Sequence, residues 1–268
     1  MGLSDWISRF DPEYEIDRVE KFIARKKSDI GFKKGIIGLS GGIDSSLTTV
    51  LAKRALSNRQ IEVVFLPEAT TPDVDRNDVE RLAGAFDLNV RTIELDGLVS
   101  VFEEKTGELP ELAEANLKAR IRMVVLYALA NRSGGLVIGT GNLSEWLLGY
   151  FTKYGDGAAD LAPLTHLYKS ELLPIAKHLE VPESIITKPP SAGLWDGQTD
   201  EEELGGSYDQ IDRVLYLKHD LAYDLKEAKE ELDFDPAFVE DIYAMVERTS
   251  HKREEPAGLT RSRTVKDS

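Results

Sequence analysis

Apolar residues recur along this chain in two alternating rhythms. Ile16, Val19, Phe22, Ile23 and Ile30 keep helical spacing and predict an amphipathic helix near the N-terminus. "GIIGLS", Gly35 to Ser40, is a short apolar run that predicts a buried strand, and Ile43 to Leu56 predicts a helix. "IEVVFLP" predicts a second strand, and Thr71 with Pro72 marks the start of a helix running to Phe86. "NVRTIEL" alternates as a third strand. Leu117, Ile121, Val124, Val125, Ala128 and Leu129 share one face of a long helix, and "GLVIGTG" predicts a fourth strand ending in glycine.

Strands alternating with helices over residues 35–139 predict an α/β fold, a doubly wound, mostly parallel sheet with helices on both faces. Ligands bind such sheets beyond the carboxyl ends of the strands, where both Ser40 and Thr140 fall. Further on, Leu172, Leu173, Ala176 and Leu179 predict one helix, and Phe238, Ile242, Met245 and Val246 another. Between them "TKPPSAGLWDGQTDEEELG" is expected to be a long irregular loop. No repeat or linker divides the chain, so residues 1–268 are expected to form one domain, with about 254–268 as a flexible tail.

The loop "LSGGIDSS" closes the first strand. Gly41 and Gly42 allow a sharp turn that aims successive N–H groups into a concavity. Ser40, Ser45 and Ser46 add hydroxyls, and the next helix adds its N-terminal dipole. A Lys usually ends a nucleotide cradle, but Ile43 and Asp44 stand there instead. Asp44 would repel a bare phosphate, so its place suits a ligand of Mg²⁺ bridging phosphate oxygens. The plainer alternative is a glycine turn with a helix-capping Asp. Other residues are also open to plain readings. Glu145 and Lys169 read as charges at helix starts, Lys118 and Arg120 as solvated helix charges, and "FTKYGDGAAD" as a structural glycine turn. His251 reads as solvated, "DEEELG" as a solvated acidic face, and His166, His178 and His219 as structural or surface residues.

Composition narrows the chemistry. Apolar content of 41% and charged content of 30% are those of a soluble globular protein. The longest apolar run, Met123 to Ala130, is too short to span a bilayer, and the acidic N-terminus predicts no secretory signal. A cytoplasmic location is expected. Cysteine is absent, which excludes disulfides, thiolate metal sites and cysteine nucleophiles. A net charge of −15 argues against a nucleic-acid tract and is compatible with life in high salt.

"SGGIDSS" resembles the SGGxDS loop of the ATP pyrophosphatases, which cleave ATP between its α and β phosphates. That resemblance accounts for the missing Lys, because pyrophosphate departs and no γ-phosphate is transferred. Sulfur-inserting and glutamine-hydrolysing members commonly rely on cysteine. An ammonia-using synthetase survives its absence. "GTGNLSEWLLGYFTKYGDGAADLAPLTHLYKSEL", "KPPSAGLWDGQTDEEELGGSYDQID", "NLKARIRM" and "SHKR" resemble segments of the ammonia-dependent NAD⁺ synthetases, from about Ile16 to Arg253.

The resemblance implies a carbon–nitrogen ligase that adenylates deamido-NAD⁺ with ATP and amidates it with ammonia. It implies that Gly38, Leu39, Ser40, Gly41, Gly42, Ile43, Asp44 and Ser45 hold ATP, with Thr140, Lys169 and Ser191. Asp44 and Glu145 would hold Mg²⁺, and Asp44, Glu145 and Lys169 would serve catalysis. Arg120, Lys153, Asp160, His251 and Lys252 would bind deamido-NAD⁺. A homodimer with a shared site is implied, with no nucleic acid and no membrane. The alternatives are the ATP pyrophosphatase component of a GMP synthetase and a non-catalytic nucleotide-binding module.

Overall fold

The structure, a computed structural model, describes Trp6, residues 9–191 and residues 199–258. Helix α1 (Pro12–Ile30) begins where the Asp11 carboxylate accepts from the N–H groups of Glu13 and Tyr14, at 3.0 and 3.1 Å. Pro12 presets the first turn, and Gly31, at φ 76°, ends the helix in the left-handed conformation.

Four parallel strands follow in the spatial order β3-β2-β1-β4: β1 (Gly35–Gly38), β2 (Ile61–Phe65), β3 (Val90–Thr92) and β4 (Leu136–Val137). Ile36 is in register with Glu62 on one side and Val137 on the other. The chain builds outward from β1 to β3 and then returns to β4 on the other flank of β1. The carboxyl ends of β1 and β4 therefore bound the crevice where such sheets bind ligands.

Alternate strand residues feed opposite faces, as the two-residue period of a strand requires. Ile37, Val63 and Phe65 pack with Ile23 of α1, Leu47 and Leu51 of α2 (Ile43–Ala55) and Leu172 of α7 (Lys169–His178). Ile36 and Val64 pack on the other face against Ile121 and Leu129 of α5 (Glu111–Ser133). Both faces are covered, which is why these strands read as unbroken apolar runs. Another apolar cluster is almost wholly helical. It joins Leu147 and Leu148 of α6 (Leu143–Leu148), Ile211, Val214 and Leu217 of α10 (Tyr208–His219), and Val239 and Ile242 of α12 (Pro236–Arg248). Trp6 and Tyr168 pack into it. The remaining helices are α3 (Asp73–Ala85), α4 (Asp96–Thr106), α8 (Glu183–Ile186), α9 (Asp200–Leu204) and α11 (Leu225–Glu231).

Several expectations change. "NVRTIEL" and "GLVIGTG" form strands of only three and two residues; beyond β4, Ile138 still donates to the Ile36 carbonyl at 2.9 Å and also bridges in parallel to Leu161. Helix α4 carried no clear periodic signal. The single apolar face expected on α5 is divided: Ile121 and Leu129 are buried, whereas Val124 is 60% exposed. Leu112 on α5 and Leu98, Val101 and Phe102 on α4 are also exposed. Among the described residues no helix is long and apolar enough to cross a membrane.

Candidate active site

The stretch after β1 folds as a closed hydroxyl-stapled turn. Ser45 Oγ accepts the N–H of Ser40 at 3.1 Å and donates to the Gly42 carbonyl at 3.1 Å. Ser46 Oγ reaches the same carbonyl at 2.8 Å, and Ser40 Oγ accepts from the Gly42 N–H at 3.3 Å. These hydroxyls shape the loop itself, a use the expectation of simple phosphate donors did not include. Gly41, at φ 88°, is needed twice over: its backbone is left-handed, and a Cβ there would lie 2.8 Å from the Asp75 carbonyl oxygen.

Asp44 sits in the first turn of α2 and accepts from Asn142 Nδ2 at 2.7 Å. Asn142 caps α6, accepting the Glu145 N–H at 2.9 Å, while Glu145 Oε2 accepts the Asn142 N–H at 3.3 Å. This reciprocal box fixes Glu145 at a helix start, as its plain reading had it. It also leaves Oε1 turned to Lys169 Nζ, 3.4 Å away. The ammonium of Lys169 simultaneously donates to Asp44 Oδ2. Residues 125 positions apart thus meet at the switch point of the sheet. Lys169 is not a surface lysine, and "DEEELG" is solvated only in part, with Glu202 and Glu203 exposed. Lys169 is buried, as is Asp200, which accepts from the hydroxyls of Tyr150 and Tyr208 at 3.3 Å.

The electrostatics of this cluster favour a further cation. Burial and the charge of Asp44 raise the Glu145 carboxyl well above the usual carboxylate range, against the opposing pull of Lys169. Burial disfavours the Lys169 ammonium, but Asp44 and Glu145 outweigh it and hold its pKa above the ordinary range. Two converging carboxylates, one destabilised by the other, fit a hard divalent ion that completes its shell with phosphate oxygens and water. Among the described residues there is no cluster of three or more His, Cys, Asp or Glu suited to hold a metal on protein ligands alone.

The residues expected to bind the dinucleotide form a second group. Arg120 Nη2 donates to the Lys153 carbonyl at 3.3 Å, and Lys153 Nζ donates to the carbonyls of His251 and Glu254 at 2.5 and 3.1 Å. Lys252 Nζ donates to the carbonyls of Gly149 and Phe151 at 2.7 and 2.8 Å. "SHKR" therefore opens as a fastened 3₁₀ turn (Ser250–Lys252) just before the expected tail. The expected tail is described only as far as residue 258. Asp160 stands apart from these cations, its Oδ2 accepting the Val137 N–H at 2.7 Å. Thr140 lies half-buried between β4 and Asn142, and Ser191 is exposed. Lys118 is paired with Glu68 and Glu114 at 3.0 and 2.8 Å, so it is no free helix charge. His166 has a partner in Glu15 at 3.0 Å.

Asn142, Ser144, Lys188, Asp200, Tyr208 and Asp212 all bear on the site; they lie in segments noted for their resemblance, but none is given a role there. Only Asn142 carried a local signal, since Asn-Leu-Ser-Glu fits a capping box.

A parallel sheet with a glycine–hydroxyl loop at its switch point and a carboxylate–lysine cluster beside it defines a nucleotide-handling α/β protein. A family model described as NAD synthase matches residues 15–256, and the chain belongs to that family. It is 43% identical over 251 residues to the NH₃-dependent NAD⁺ synthetase of Thermoplasma volcanium, covering 93% of this chain and 99% of that one. The Archaeoglobus fulgidus protein of the same name is 44% identical over 245 residues, covering 91% and 95%. Among solved structures, an NMN synthetase from Francisella tularensis superposes with a TM-score of 0.83 at 33% identity, covering 93% and 99%. An NH₃-dependent NAD synthetase from Campylobacter jejuni, in complex with nitrate, gives 0.79 at 30% identity, covering 93% and 100%.

Proposed function

We infer that this protein is an ammonia-dependent NAD⁺ synthetase, a ligase that amidates deamido-NAD⁺ through an acyl-adenylate. The observation that carries the reading is the meeting of Asp44, Glu145 and Lys169 beside the glycine–serine loop, in a chain of the NAD synthase family. A nicotinate carboxylate oxygen attacks the α-phosphorus of ATP and the α–β bridge breaks, releasing pyrophosphate. Ammonia then attacks the acyl carbon, the bond to AMP breaks, and a proton is lost as the amide forms. No side-chain nucleophile is needed, in keeping with the absence of cysteine.

In this reading the backbone of Gly38 to Ser45 holds the ATP phosphates, with Thr140 and Ser191 as further ATP contacts. Lys169, a buried ammonium held by two carboxylates, would stabilise the charge of the departing pyrophosphate. Asp44 and Glu145 would hold Mg²⁺, which when bound neutralises phosphate oxygens. Arg120, Lys153, Asp160, His251 and Lys252 would hold the dinucleotide, whose anionic groups suit the four basic side chains. The chain acts as one domain in the cytoplasm, as a homodimer. The exposed apolar residues Leu98, Val101, Phe102, Leu112 and Val124 on α4 and α5 support the dimer.

The test is NAD⁺ formation by the purified chain from deamido-NAD⁺, Mg-ATP and ammonium. Parallel arms replace the dinucleotide with nicotinate mononucleotide or xanthosine monophosphate, and ammonium with glutamine at equal nitrogen. Turnover of deamido-NAD⁺ with ammonium alone is expected. Preference for either mononucleotide, or efficient use of glutamine, overturns the assignment. Light scattering of the wild type and of Val124→Asp tests the dimer, which the charged variant should weaken.

A further inference from the structure

Lys188 lies outside the carboxylate–lysine cluster but is bound to the phosphate loop from behind. Its Nζ donates to the Gly41 carbonyl at 2.7 Å, to Asp75 Oδ1 at 2.8 Å and to Asp78 Oδ2 at 2.8 Å. An ammonium has three donors, and all three are matched here. Asp78 is fully buried, and Ser184 Oγ donates to its other oxygen at 2.6 Å. Burial disfavours the Asp78 carboxylate, but the hydrogen bonds from Lys188 and Ser184 outweigh it and hold the group ionised. Arg81 Nη1 also donates to Asp78 Oδ1 at 3.2 Å, so two cations face two carboxylates here, and with its three donors spent Lys188 has none to offer a phosphate. It acts on geometry instead.

The carbonyl and N–H of a trans peptide point in opposite directions. Capture of the Gly41 carbonyl therefore fixes the direction of the Gly42 N–H on the other side of the loop. The backbone of α3 presses on the same residue, where only glycine fits against the Asp75 carbonyl. Lys188 is also three residues before Ser191. Beyond Lys188, the Pro190 carbonyl accepts the Asp200 N–H at 3.0 Å, near the cluster around Lys169.

We propose that Lys188, braced by Asp75 and Asp78, is a positioning residue that sets the phosphate loop for ATP and couples it to the segment carrying Ser191. The inference rests on the reading of that loop as the ATP cradle.

The experiment measures pyrophosphate release against ATP and deamido-NAD⁺ concentration for wild type, Lys188→Met, Lys188→Arg, Asp75→Asn and Ser45→Ala. Lys188→Met should lower kcat/KM for ATP by about 10- to 100-fold, the scale of a small misplacement of reacting groups. Its KM for ATP should rise while that for deamido-NAD⁺ stays at the wild-type value. Lys188→Arg should recover part of the loss, since its planar fork fits three convergent acceptors less well than an ammonium. If Lys188→Met has no cooperative melt, Asp75→Asn decides the matter and should show the same split in KM. A uniform fall in kcat with both KM values unchanged would mean a purely structural role and overturns the proposal. If Ser45→Ala raises the KM for ATP and the Lys188 and Asp75 variants do not, the proposal fails and the cradle reading stands. If none of the variants changes it, the cradle reading fails and takes the proposal with it.

Discussion

The hydroxyl of Ser144 donates to Asp212 Oδ1 at 2.5 Å. Ser144 Oγ in turn accepts the backbone N–H of Lys169 at 2.9 Å, and Asp212 Oδ2 accepts the N–H of Ser170 at 2.8 Å. One fully buried carboxylate from α10 thus joins the start of α7, which bears Lys169, to the residue beside Glu145. Asp212→Ala leaves the Ser170 N–H unpaired and should cost about 2–3 kcal/mol, the scale for an orphaned buried donor. Asp212→Asn keeps the shape and should cost less. Denaturant melts together with pyrophosphate release check this. An alanine variant with normal stability and normal adenylation would remove Asp212 from the account.

Asp44→Asn and Glu145→Gln each delete one of the paired carboxylates. Adenylation should fall by about 10²–10³-fold, the usual scale for one preorganised charge at a centre of developing charge. Both folds should survive, because each amide can still accept the hydrogen bonds its carboxylate receives from Asn142. The Mg²⁺ concentration for half-maximal pyrophosphate release should rise as well. Near-normal release by either variant would refute that residue's role.

Lys252→Ala removes a cation that binds the carbonyls of Gly149 and Phe151. The turn that brings Lys153 and His251 together should loosen, so the KM for deamido-NAD⁺ should rise more than that for ATP. Steady-state titration of both substrates reads the difference. A larger effect on ATP would contradict the placement of the dinucleotide.

A pH effect on stability follows from Glu171. Its carboxylate accepts from the Trp6 indole at 2.6 Å and from the Tyr168 N–H at 2.8 Å, yet burial pushes it up to about 7 from 4.5. The folded chain therefore holds this proton more tightly than the unfolded one. Glu171's contribution is fully present below pH 4.5 and is lost as pH rises through 7. Asp212, pushed up to about 6 by burial, acts in the same direction. His166 acts against both, because burial lowers its pKa: its contribution is complete above pH 6.5 and is lost as pH falls below that through the lowered value. Glu171→Gln should melt with a less negative dependence on pH than the wild type between pH 5 and 8. Identical slopes would mean that Glu171 does not titrate in this window. The pH-dependent part of the tryptophan fluorescence that is lost in Trp6→Phe supplies an independent titration of the same contact.

The net charge of −15 predicts a response to salt. Acidic runs such as "DPEYEID" and "DFDPAFVED" lie mainly on exposed positions, although Asp78 and Asp200 in other runs are buried. The Debye length is about 30 Å at 0.01 M salt and about 3 Å at 1 M, so only concentrated salt separates these charges from one another. Melting temperature and activity should both rise as KCl is raised from dilute buffer towards molar concentration. Substrate binding should oppose the trend in part, since salt screens Arg120, Lys153 and Lys252 from anionic ligands. A flat or falling melting temperature would mark the acidity as ordinary.

Much of this architecture was legible before folding. The apolar runs of β1 and β2, the helical spacing of α1 and α2 and the glycine–hydroxyl loop between them are local properties. Strand burial, helix periodicity and turn chemistry each act within a few residues. Asp44, Glu145 and Lys169 are selected by the resemblance of their segments to family motifs, as are the expected contacts with ATP and the dinucleotide. The sequence left open what those side chains face. Glu145 reads equally well as a helix cap or a ligand, and the structure has it cap α6 with one oxygen and meet Lys169 with the other. Lys188, Asp200 and Asp212 lie in a segment that resembles the family's, but nothing local gives any of them a partner. Their significance comes from partners 147, 50 and 68 positions away, at Gly41, Tyr150 and Ser144. Such pairings depend on how α3, α6, α7 and α10 pack round the sheet. Burial in that packing turns ordinary polar residues into obligatory partners, because an unpaired buried charge is too costly to keep.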